Sequence, residues 1–448
     1  MAEPRGGHLT LVDGARVAVV GGGPAGALFA CFLLSAARRS GRHFDVTIYG
    51  GQAGRQDGYG CGLSAGVLAH DFVRDLREAG ILLPESVIQR RISHFVLETN
   101  LGSVRLASPG AASSVTVWRG PGPRGAASPS SAVNFDRLLL SSALAQGAVL
   151  VPGYVRKVVP CPERGGPPRL VYGDLNRQET EADLVVGASG LNSRFPTLVA
   201  ELGFGYRPPG TIASVQVELE TTQYGTCRAD TDAITVFMLN LPGVMFASLT
   251  PKDGYQTVTL VGEAVGDREL GAFLDHPVVR RRVCPGGGQP RVVCRCRPRA
   301  LNSAAVQPYA DRLVMVGDAA ASRLYKNGLH SALVTARAAA TTALEHGVGR
   351  EDFARYYEPV CNAIAADNES GRWLLHVYER VLGSSPWVAR RILNAVAREQ
   401  VQLPPGRRPA CDILWHTLTG DVPYGELRRR VLSPGLYLSL LREGLASK

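Results

Sequence analysis

The stretch RVAVVGGGPAG, residues 16–26, constrains the fold of this chain more than any other. A short β-branched run leads into a glycine-rich turn, and an apolar helix is predicted from Pro24 to about Arg39. In such a turn the first glycine permits the tight bend, the second admits a pyrophosphate, and the third lets helix and strand pack closely. The pattern therefore predicts an α/β nucleotide-binding domain whose cofactor-binding turn comprises Gly21, Gly23, Pro24 and Gly26, with the phosphate at the positive end of the helix.

The end of the second predicted strand departs from this pattern. A dinucleotide-binding fold ordinarily places an acid there, about 20 residues on, to accept hydrogen bonds from a ribose. Here the strand DVTIY (45–49) is followed by Gly50 and Gly51. Three explanations stay open: a different nucleotide, a weaker grip on the ribose, or a ribose contact from elsewhere, for example Gln52.

Composition excludes several classes of protein. The chain has 448 residues, 45% of them hydrophobic, which is enough for a sizeable core. Its net charge of +10 is spread diffusely, without the basic and aromatic cluster of a nucleic-acid site. No segment resembles a secretory signal or a membrane span, and nine scattered cysteines fit a reducing compartment, so we expect a cytoplasmic protein. Cys294-x-Cys296 lacks the paired spacing of a zinc site, and no metal is expected.

Hydrophobic patterning predicts an organisation in discontinuous segments. Strand–turn–helix signals indicate that the nucleotide-binding domain comprises residues 15–106, 134–205 and 298–350. Period-two alternation predicts an antiparallel sheet, the substrate domain, within 206–297. Within these segments we predict an amphipathic helix over 66–79, a helix capped by Asp136, and one strand over VLVPGYVRKVV (149–159). The remaining segments are a Gly/Pro/Ser-rich loop or lid at 107–133 and a helical region at 351–448.

Two further motifs carry a resemblance to a known family. Residues 187–194 read GASGLNSR, and residues 313–318 read LVMVGD. Together with the glycine turn they resemble the FAD-dependent flavoproteins that include the aromatic hydroxylases, which are group A flavin monooxygenases, and the geranylgeranyl reductases. The resemblance implies a Rossmann-like FAD-binding domain in which Asp318 accepts a ribityl hydroxyl of FAD. The backbone of Gly328 and Leu329, at the start of a helix, would face the flavin, and the other implied FAD-binding residues are Val155, Ser189, Gly190 and Asn327.

The chain departs from the family pattern at several of these positions. Ser189 stands where the family motif GADGxxSxxR has Asp, and the loop after the second motif, GDAAASRLYKNG, lacks the family's His and Pro. Lys326 then lies near the expected flavin ring, where a cation would stabilise reduced flavin or bind an acidic substrate group. His330, in the first turn of the next helix, is a candidate donor to flavin or substrate, although a solvent-facing Lys326 and a merely hydrogen-bonded His330 are the ordinary alternatives.

Two more segments resemble the geranylgeranyl reductases within this family. GCGLSAGVL (60–68) is similar to their CxGG(L/I)S segment and places Cys61 near the flavin, as a proton donor or as a packing residue. LPGVMFASLTPKDG (241–254) is similar to their PxxYxWxFPKG segment, with Phe246 and Ser248 in place of its aromatic pair. Phe246 and Ser248 are therefore candidate substrate-binding residues.

The resemblance implies an FAD-dependent oxidoreductase for a bulky, largely apolar molecule such as an isoprenoid or a secondary metabolite. The main hypothesis is hydride transfer to or from a carbon–carbon double bond, with Cys61 or His330 as proton donor. The alternatives are a monooxygenase that acts through a flavin C4a-hydroperoxide, and a non-redox binding protein or cyclase on the same fold. No second glycine motif follows a strand, so electrons would come from transiently bound NAD(P)H or from a separate reductase or ferredoxin. The basic amphipathic helices of the tail either pack on the substrate domain or contact a membrane surface.

Overall fold

A computed structural model describes residues 8–50, 65–109, 114–120, 134–161, 163, 165–173, 176–221, 231–284, 290–384 and 386–437. The strands, in chain order, are β1 (Ala15–Val20), β2 (Phe44–Gly50), β3 (Ala65–Leu68), β4 (Ile88–Ile92), β5 (His94–Thr99), β6 (Gly102–Ala107), β7 (Ser114–Trp118), β8 (Val149–Pro152), β9 (Val155–Val159), β10 (Arg169–Tyr172), β11 (Gln178–Glu181), β12 (Leu184–Gly187), β13 (Thr211–Glu220), β14 (Ala233–Met238), β15 (Phe246–Lys252), β16 (Tyr255–Gly262), β17 (Arg291–Cys296), β18 (Arg299–Leu301), β19 (Tyr309–Ala310) and β20 (Leu313–Met315).

The helices are α1 (Pro24–Arg39), α2 (His70–Asp75), α3 (Phe135–Ala145), α4 (Phe195–Ala200), α5 (Asp267–Asp275), α6 (Pro277–Val283), α7 (Gly328–Thr341), α8 (Arg350–Asp352), α9 (Glu358–Ser384), α10 (Pro386–Gln402), α11 (Pro409–Thr419) and α12 (Tyr424–Val431). Short 3₁₀ turns occupy Leu76–Ala79, Glu85–Val87 and Gly317–Ala319, and π-helical turns occupy Thr342–His346 and Phe353–Tyr357.

A six-stranded sheet forms the centre of the predicted nucleotide-binding domain, with strand order β19-β20-β12-β1-β2-β8. Strands β20, β12, β1, β2 and β8 run parallel, and β19 pairs antiparallel at the edge. Apolar residues throughout α1, including Leu28, Phe29 and Leu33, are fully buried against this sheet and its neighbours. The carboxyl ends of β1, β2, β12 and β20 therefore meet at one edge, where such sheets bind ligands.

An eight-stranded sheet forms the second half, in the order β17-β13-β16-β15-β14-β5-β6 with β18 also paired to β13. The period-two segments predicted as strands are β13, β14, β15 and β16. However, β5 and β6 also belong to this sheet, although the sequence predicts residues 15–106 as part of the nucleotide-binding domain. β5 pairs parallel with β14, so the sheet is not purely antiparallel.

Several local predictions need correction. The predicted helix over 66–79 is instead strand β3, then α2 and a 3₁₀ turn, because β3 pairs with β7 and tertiary pairing overrides the helical period. Strand β7 itself lies inside the predicted loop 107–133. The predicted strand over residues 149–159 divides at Gly153 into β8 and β9, which belong to different sheets.

The helical C-terminal region matches the prediction and packs on both halves. Helices α10 and α11 share a hydrophobic core with β5, β6 and β14, in which Trp415 is 5% exposed. Tyr424 and Leu427 of α12 pack instead on Leu324 and Leu374. The region therefore closes the space between the two sheets.

Candidate functional site

One cavity of about 1310 Å³ lies between the six-stranded sheet, the eight-stranded sheet and the C-terminal helices. At one end it is lined by the glycine turn and the carboxyl ends of β2 and β12. At the other it is lined by the faces of β5, β13, β14, β15 and β16 and by side chains of α9 and α11. The predicted nucleotide site and the chamber at the eight-stranded sheet are thus parts of one space.

The glycine turn is shaped by two steric requirements. Gly21 has φ +117°, and a Cβ on it would lie 2.4 Å from the carbonyl oxygen of Ala188. A Cβ on Gly26 would lie 2.0 Å from the carbonyl oxygen of Gly21. Both positions therefore exclude larger residues because backbone lies against backbone.

Gly23 has the opposite surroundings. It precedes α1, Pro24 is the first helical residue, and a Cβ on Gly23 would meet nothing within 4 Å. The open space lies in the cavity, in front of the amides at the positive end of a 16-residue helix. This is the geometry that holds a phosphate or another anion.

The loop after β12 forms the other side of this end. Ser189 and Gly190 line the cavity, as does Val155 of β9. Within the described part of the chain, the buried hydroxyl oxygen of Ser189 has no hydrogen-bond partner. A buried polar atom of this kind calls for a bound polar group.

The end of β2 offers no carboxylate to a ribose. Gly50 lines the cavity, and a Cβ there would lie 3.3 Å from the amide nitrogen of Gly22. Its neighbours on the cavity wall include Leu150 and Tyr154, which are 37% and 40% exposed. Gln52, the alternative ribose contact, lies outside the described residues.

Asp318 lies in the 3₁₀ turn that follows β20 and lines the cavity. Burial raises its pKa, while a hydrogen bond from Ser322 and the charge of Arg119 act in the opposite direction. Arg119 is held by two bonds to Asp136, at 2.6 and 2.9 Å. Asp136 therefore orients a guanidinium rather than capping α3, whose N-cap is Asn134.

The sequence places Arg119 only within the predicted Gly/Pro/Ser-rich loop or lid at 107–133. Its relation to Asp318 has no signal in the local sequence. The two residues belong to distant segments that only the fold brings together.

The turn before α7 brings Asn327, Gly328 and Leu329 to the cavity wall. Asn327 adopts a left-handed conformation with φ 54° and immediately precedes the helix. The ideal Cβ position of Gly328 lies 3.6 Å from the Oδ1 atom of Asp318. The predicted FAD-binding residues of this segment are therefore brought together.

Lys326 lines the cavity but is not a solvent-facing loop residue. Its Nζ donates to the carbonyl oxygens of Thr417 and Leu418 at the end of α11, the negative pole of that helix. Burial, with a smaller effect of Arg323, lowers the pKa of Lys326 to about 7.

The two candidate proton donors predicted from the sequence are His330 and Cys61. His330 is not part of the cavity lining; its Nε2 lies 3.5 Å from an oxygen of Asp75, and its ring lies against Phe72. Burial lowers the pKa of His330. Cys61 lies outside the described residues.

Phe246 and Ser248 of β15 both line the substrate end of the cavity. The Phe246 ring lies 5.8 Å from that of Tyr325, next to Lys326. Among the described residues no cluster of three or more His, Cys, Asp or Glu could bind a metal. None of the described helices combines the length and the hydropathy needed to cross a membrane.

No protein-family model and no curated protein sequence matches this chain. Solved structures do match its fold. A geranylgeranyl bacteriochlorophyll reductase-like protein from Thermoplasma acidophilum superposes with a TM-score of 0.66 at 16% identity, over 94% of this chain and 98% of its own. A flavoprotein/dehydrogenase from Cytophaga hutchinsonii gives 0.61 at 18% identity, over 93% and 98%.

A p-nitrophenol 4-monooxygenase from Pseudomonas putida gives a TM-score of 0.58 at 15% identity, over 86% of this chain and 97% of its own. The chain therefore has the fold that these flavoproteins share, and the predicted fold class is confirmed.

Proposed function

We propose that the chain is an FAD-dependent oxidoreductase that acts on a bulky, largely apolar small molecule. One observation carries the proposal: the cavity that begins at the glycine turn continues without a break to the apolar face of the eight-stranded sheet. The flavoproteins of the same fold support the choice of FAD. The residues present fit this cofactor, since Gly23 leaves an open cradle and Ser189 presents an unpartnered hydroxyl.

Three parts of FAD, the pyrophosphate, the ribityl chain and the flavin, each have a corresponding part of the chain. The amides from Gly21 to Pro24 would hold the pyrophosphate, Asp318 a ribityl hydroxyl, and the first amides of α7 the flavin. When bound, FAD supplies a two-electron centre that exchanges hydride equivalents with carbon. The missing carboxylate at Gly50 removes one contact to the adenosine ribose, so we expect FAD to bind less tightly than at a site with this carboxylate, but tightly enough to be retained when free flavin is removed.

The proposed reaction is hydride transfer to or from a carbon–carbon double bond. The resemblance of residues 60–68 and 241–254 to segments of the geranylgeranyl reductases favours it. Reduction of a double bond also consumes a proton. Lys326 lies on the cavity wall, and with its pKa lowered to about 7 its ammonium can release a proton near neutral pH.

The experiment is an anaerobic reduction of FAD-supplemented protein after free flavin has been removed. We expect retained flavin absorbance that bleaches with dithionite. Bleaching by NADPH alone identifies a nicotinamide donor, and its failure points to a separate reductase or ferredoxin. A colourless protein that FAD does not stabilise against heating contradicts the proposal.

A matched pair of glycine variants ties the flavin to the predicted site. Gly23→Ala adds a methyl group in front of the α1 amides and is expected to weaken FAD binding about tenfold or more, because charge-assisted bonds are lost. Gly271→Ala adds the same methyl group in α5, where a Cβ also meets nothing within 4 Å, and should bind FAD normally.

Turnover without oxygen separates the proposed reaction from oxygen insertion. A reductase works under anaerobic conditions with a chemical reductant. A product that contains an oxygen atom from labelled dioxygen would contradict hydride transfer and favour the monooxygenase alternative.

A further inference from the structure

The substrate end of the cavity is divided along one lateral row of the eight-stranded sheet. Gln216 pairs with Thr259, Thr259 with Ser248, Ser248 with Val236, and Val236 with Leu97 in the register of five adjacent strands. All five residues line the cavity. The row is polar on β13, β16 and β15 and apolar on β14 and β5.

The polar half of this row has unused hydrogen-bonding capacity. Gln216 donates to the Thr259 hydroxyl at 3.2 Å, which leaves the hydrogen of that hydroxyl to donate elsewhere. Within the described part of the chain, the hydroxyls of Ser248 and of Thr250, two residues further along β15, have no hydrogen-bond partner. Polar side chains in such a chamber call for a polar group on the ligand.

The apolar half continues on both sides of the row. Residues of β5 and β14 that line the cavity next to it include Phe95, Ile234 and Met238. Helices α9 and α11 contribute Leu374, Leu375, Leu414 and Leu418 to the lining of the same cavity. A hydrocarbon body fits here because it needs no hydrogen bonds.

The charged side chains on this face of the sheet pair with each other outside the row. Lys252, further along β15, pairs with Glu218 at 2.8 Å, and their side chains are 0% and 2% exposed. The Trp118 ring covers this pair, with the Lys252 Nζ 3.2 Å from its centroid. The row therefore presents neutral donors and acceptors only.

We propose that the row Gln216–Thr259–Ser248 binds a neutral oxygen group, a hydroxyl or a carbonyl, of a substrate whose apolar body lies against β14 and β5. The inference rests on the proposed function, since it concerns the same cavity. It makes these three side chains specificity determinants that fix the orientation of an otherwise apolar molecule.

Three probes of one shape test the proposal: naphthalene, 2-naphthol and 2-naphthoate, measured by equilibrium dialysis with and without FAD. The relevant quantity is the affinity for 2-naphthol divided by that for naphthalene. In Ser248→Ala and in Gln216→Leu this ratio should fall about three- to tenfold, as expected for a lost hydrogen bond. Val236→Ala, at the apolar neighbour in the same row, should weaken both probes and leave the ratio unchanged.

Two results would overturn the assignment. One is a failure of recognition by the polar row, seen as an unchanged ratio in both polar variants or as no binding of any probe. The other is tighter binding of 2-naphthoate than of 2-naphthol that disappears in Lys326→Met, which would make the recognised group anionic. A protein that keeps the 2-naphthol preference but binds no FAD would contradict the proposed flavin function and support this assignment.

Discussion

Gly23 and Gly26 stand in one turn and meet opposite surroundings. The backbone leaves no room for a methyl group at Gly26, where its Cβ would lie 2.0 Å from the carbonyl oxygen of Gly21. At Gly23 the same group would point into open space. Gly26 is therefore required by the packing of the backbone, whereas Gly23 leaves open space at the start of α1, where a phosphate is proposed to bind.

Gly26→Ala should lower the free energy of unfolding by about 2 kcal/mol or more, because overpacking backbone against backbone forces the helix off the strand. Urea unfolding at equilibrium measures it. Gly23→Ala is the control and should stay within about 0.5 kcal/mol of the wild type. Equal stabilities of the two variants would contradict the packing argument.

The contribution of Lys326 to the free energy of unfolding depends on pH. Its pKa is lowered to about 7 in the folded state, from an ordinary value of 10.5. Between these values the unfolded chain binds more protons than the folded one, so stability rises with pH across that window. Below about pH 7 both states carry the charge, and this contribution no longer changes with pH.

Lys326→Met should remove this rise. The wild type is expected to gain unfolding free energy relative to the variant between about pH 7 and about pH 9, measured by urea unfolding at several pH values. Lys157→Met, at an exposed position on β9, should keep the wild-type profile. Parallel profiles of wild type and Lys326→Met would refute the depressed pKa.

At the scale of elements, hydrogen bonds to the turn after α11 hold the loop that leads into α7. The Arg323 guanidinium donates to the carbonyl oxygens of Gly420 and Val422 and lies 4.1 Å from the ring centre of Tyr424. Asn327 donates to the same Gly420 oxygen at 2.6 Å. These bonds fix the loop that ends at the start of α7, which lines the cavity.

Arg323→Gln should loosen this loop without unfolding the protein. We expect amide hydrogen exchange over residues 322–328 to become about tenfold faster or more, because the local opening free energy falls. FAD affinity should fall with it. Arg430→Gln, which removes an ion pair with Glu426 on α12, is the control, and equal exchange in both variants would show that these hydrogen bonds do not order the loop.

At the scale of the whole molecule, the C-terminal helices complete the core of the eight-stranded sheet. Trp415 of α11 lies edge-on to Phe95 of β5, with ring centroids 5.4 Å apart. The cluster around them joins α10 and α11 to β6 and β14. The cavity wall on this side therefore depends on a shared core.

Trp415→Ala should destabilise the protein by about 3 to 5 kcal/mol, the usual cost of deleting a buried aromatic side chain. Urea unfolding followed by circular dichroism and by flavin release measures it, and both signals should move together. Trp387→Ala removes a tryptophan that is 63% exposed and should change stability by less than about 0.5 kcal/mol. A separate early transition of the helices alone would contradict a shared core.

The sequence by itself determined the features that depend on neighbours along the chain. Helix α1 begins at Pro24 and ends at Arg39 as predicted, and the four strands from β13 to β16 follow the alternation of their side chains. The glycine turn is equally local, because steric limits on the backbone act over a few residues. The fold class follows from these elements.

Only the tertiary structure decided how distant segments pair. β5 joins β14 across more than a hundred residues, β3 forms where a helical period was present, and Arg119 lies near Asp318. The tertiary structure also places His330 outside the cavity lining, and it brings Lys326 into hydrogen-bond contact with α11. Such outcomes depend on which surfaces compete for burial and hydrogen bonds in the folded chain, and no short window of sequence contains that competition.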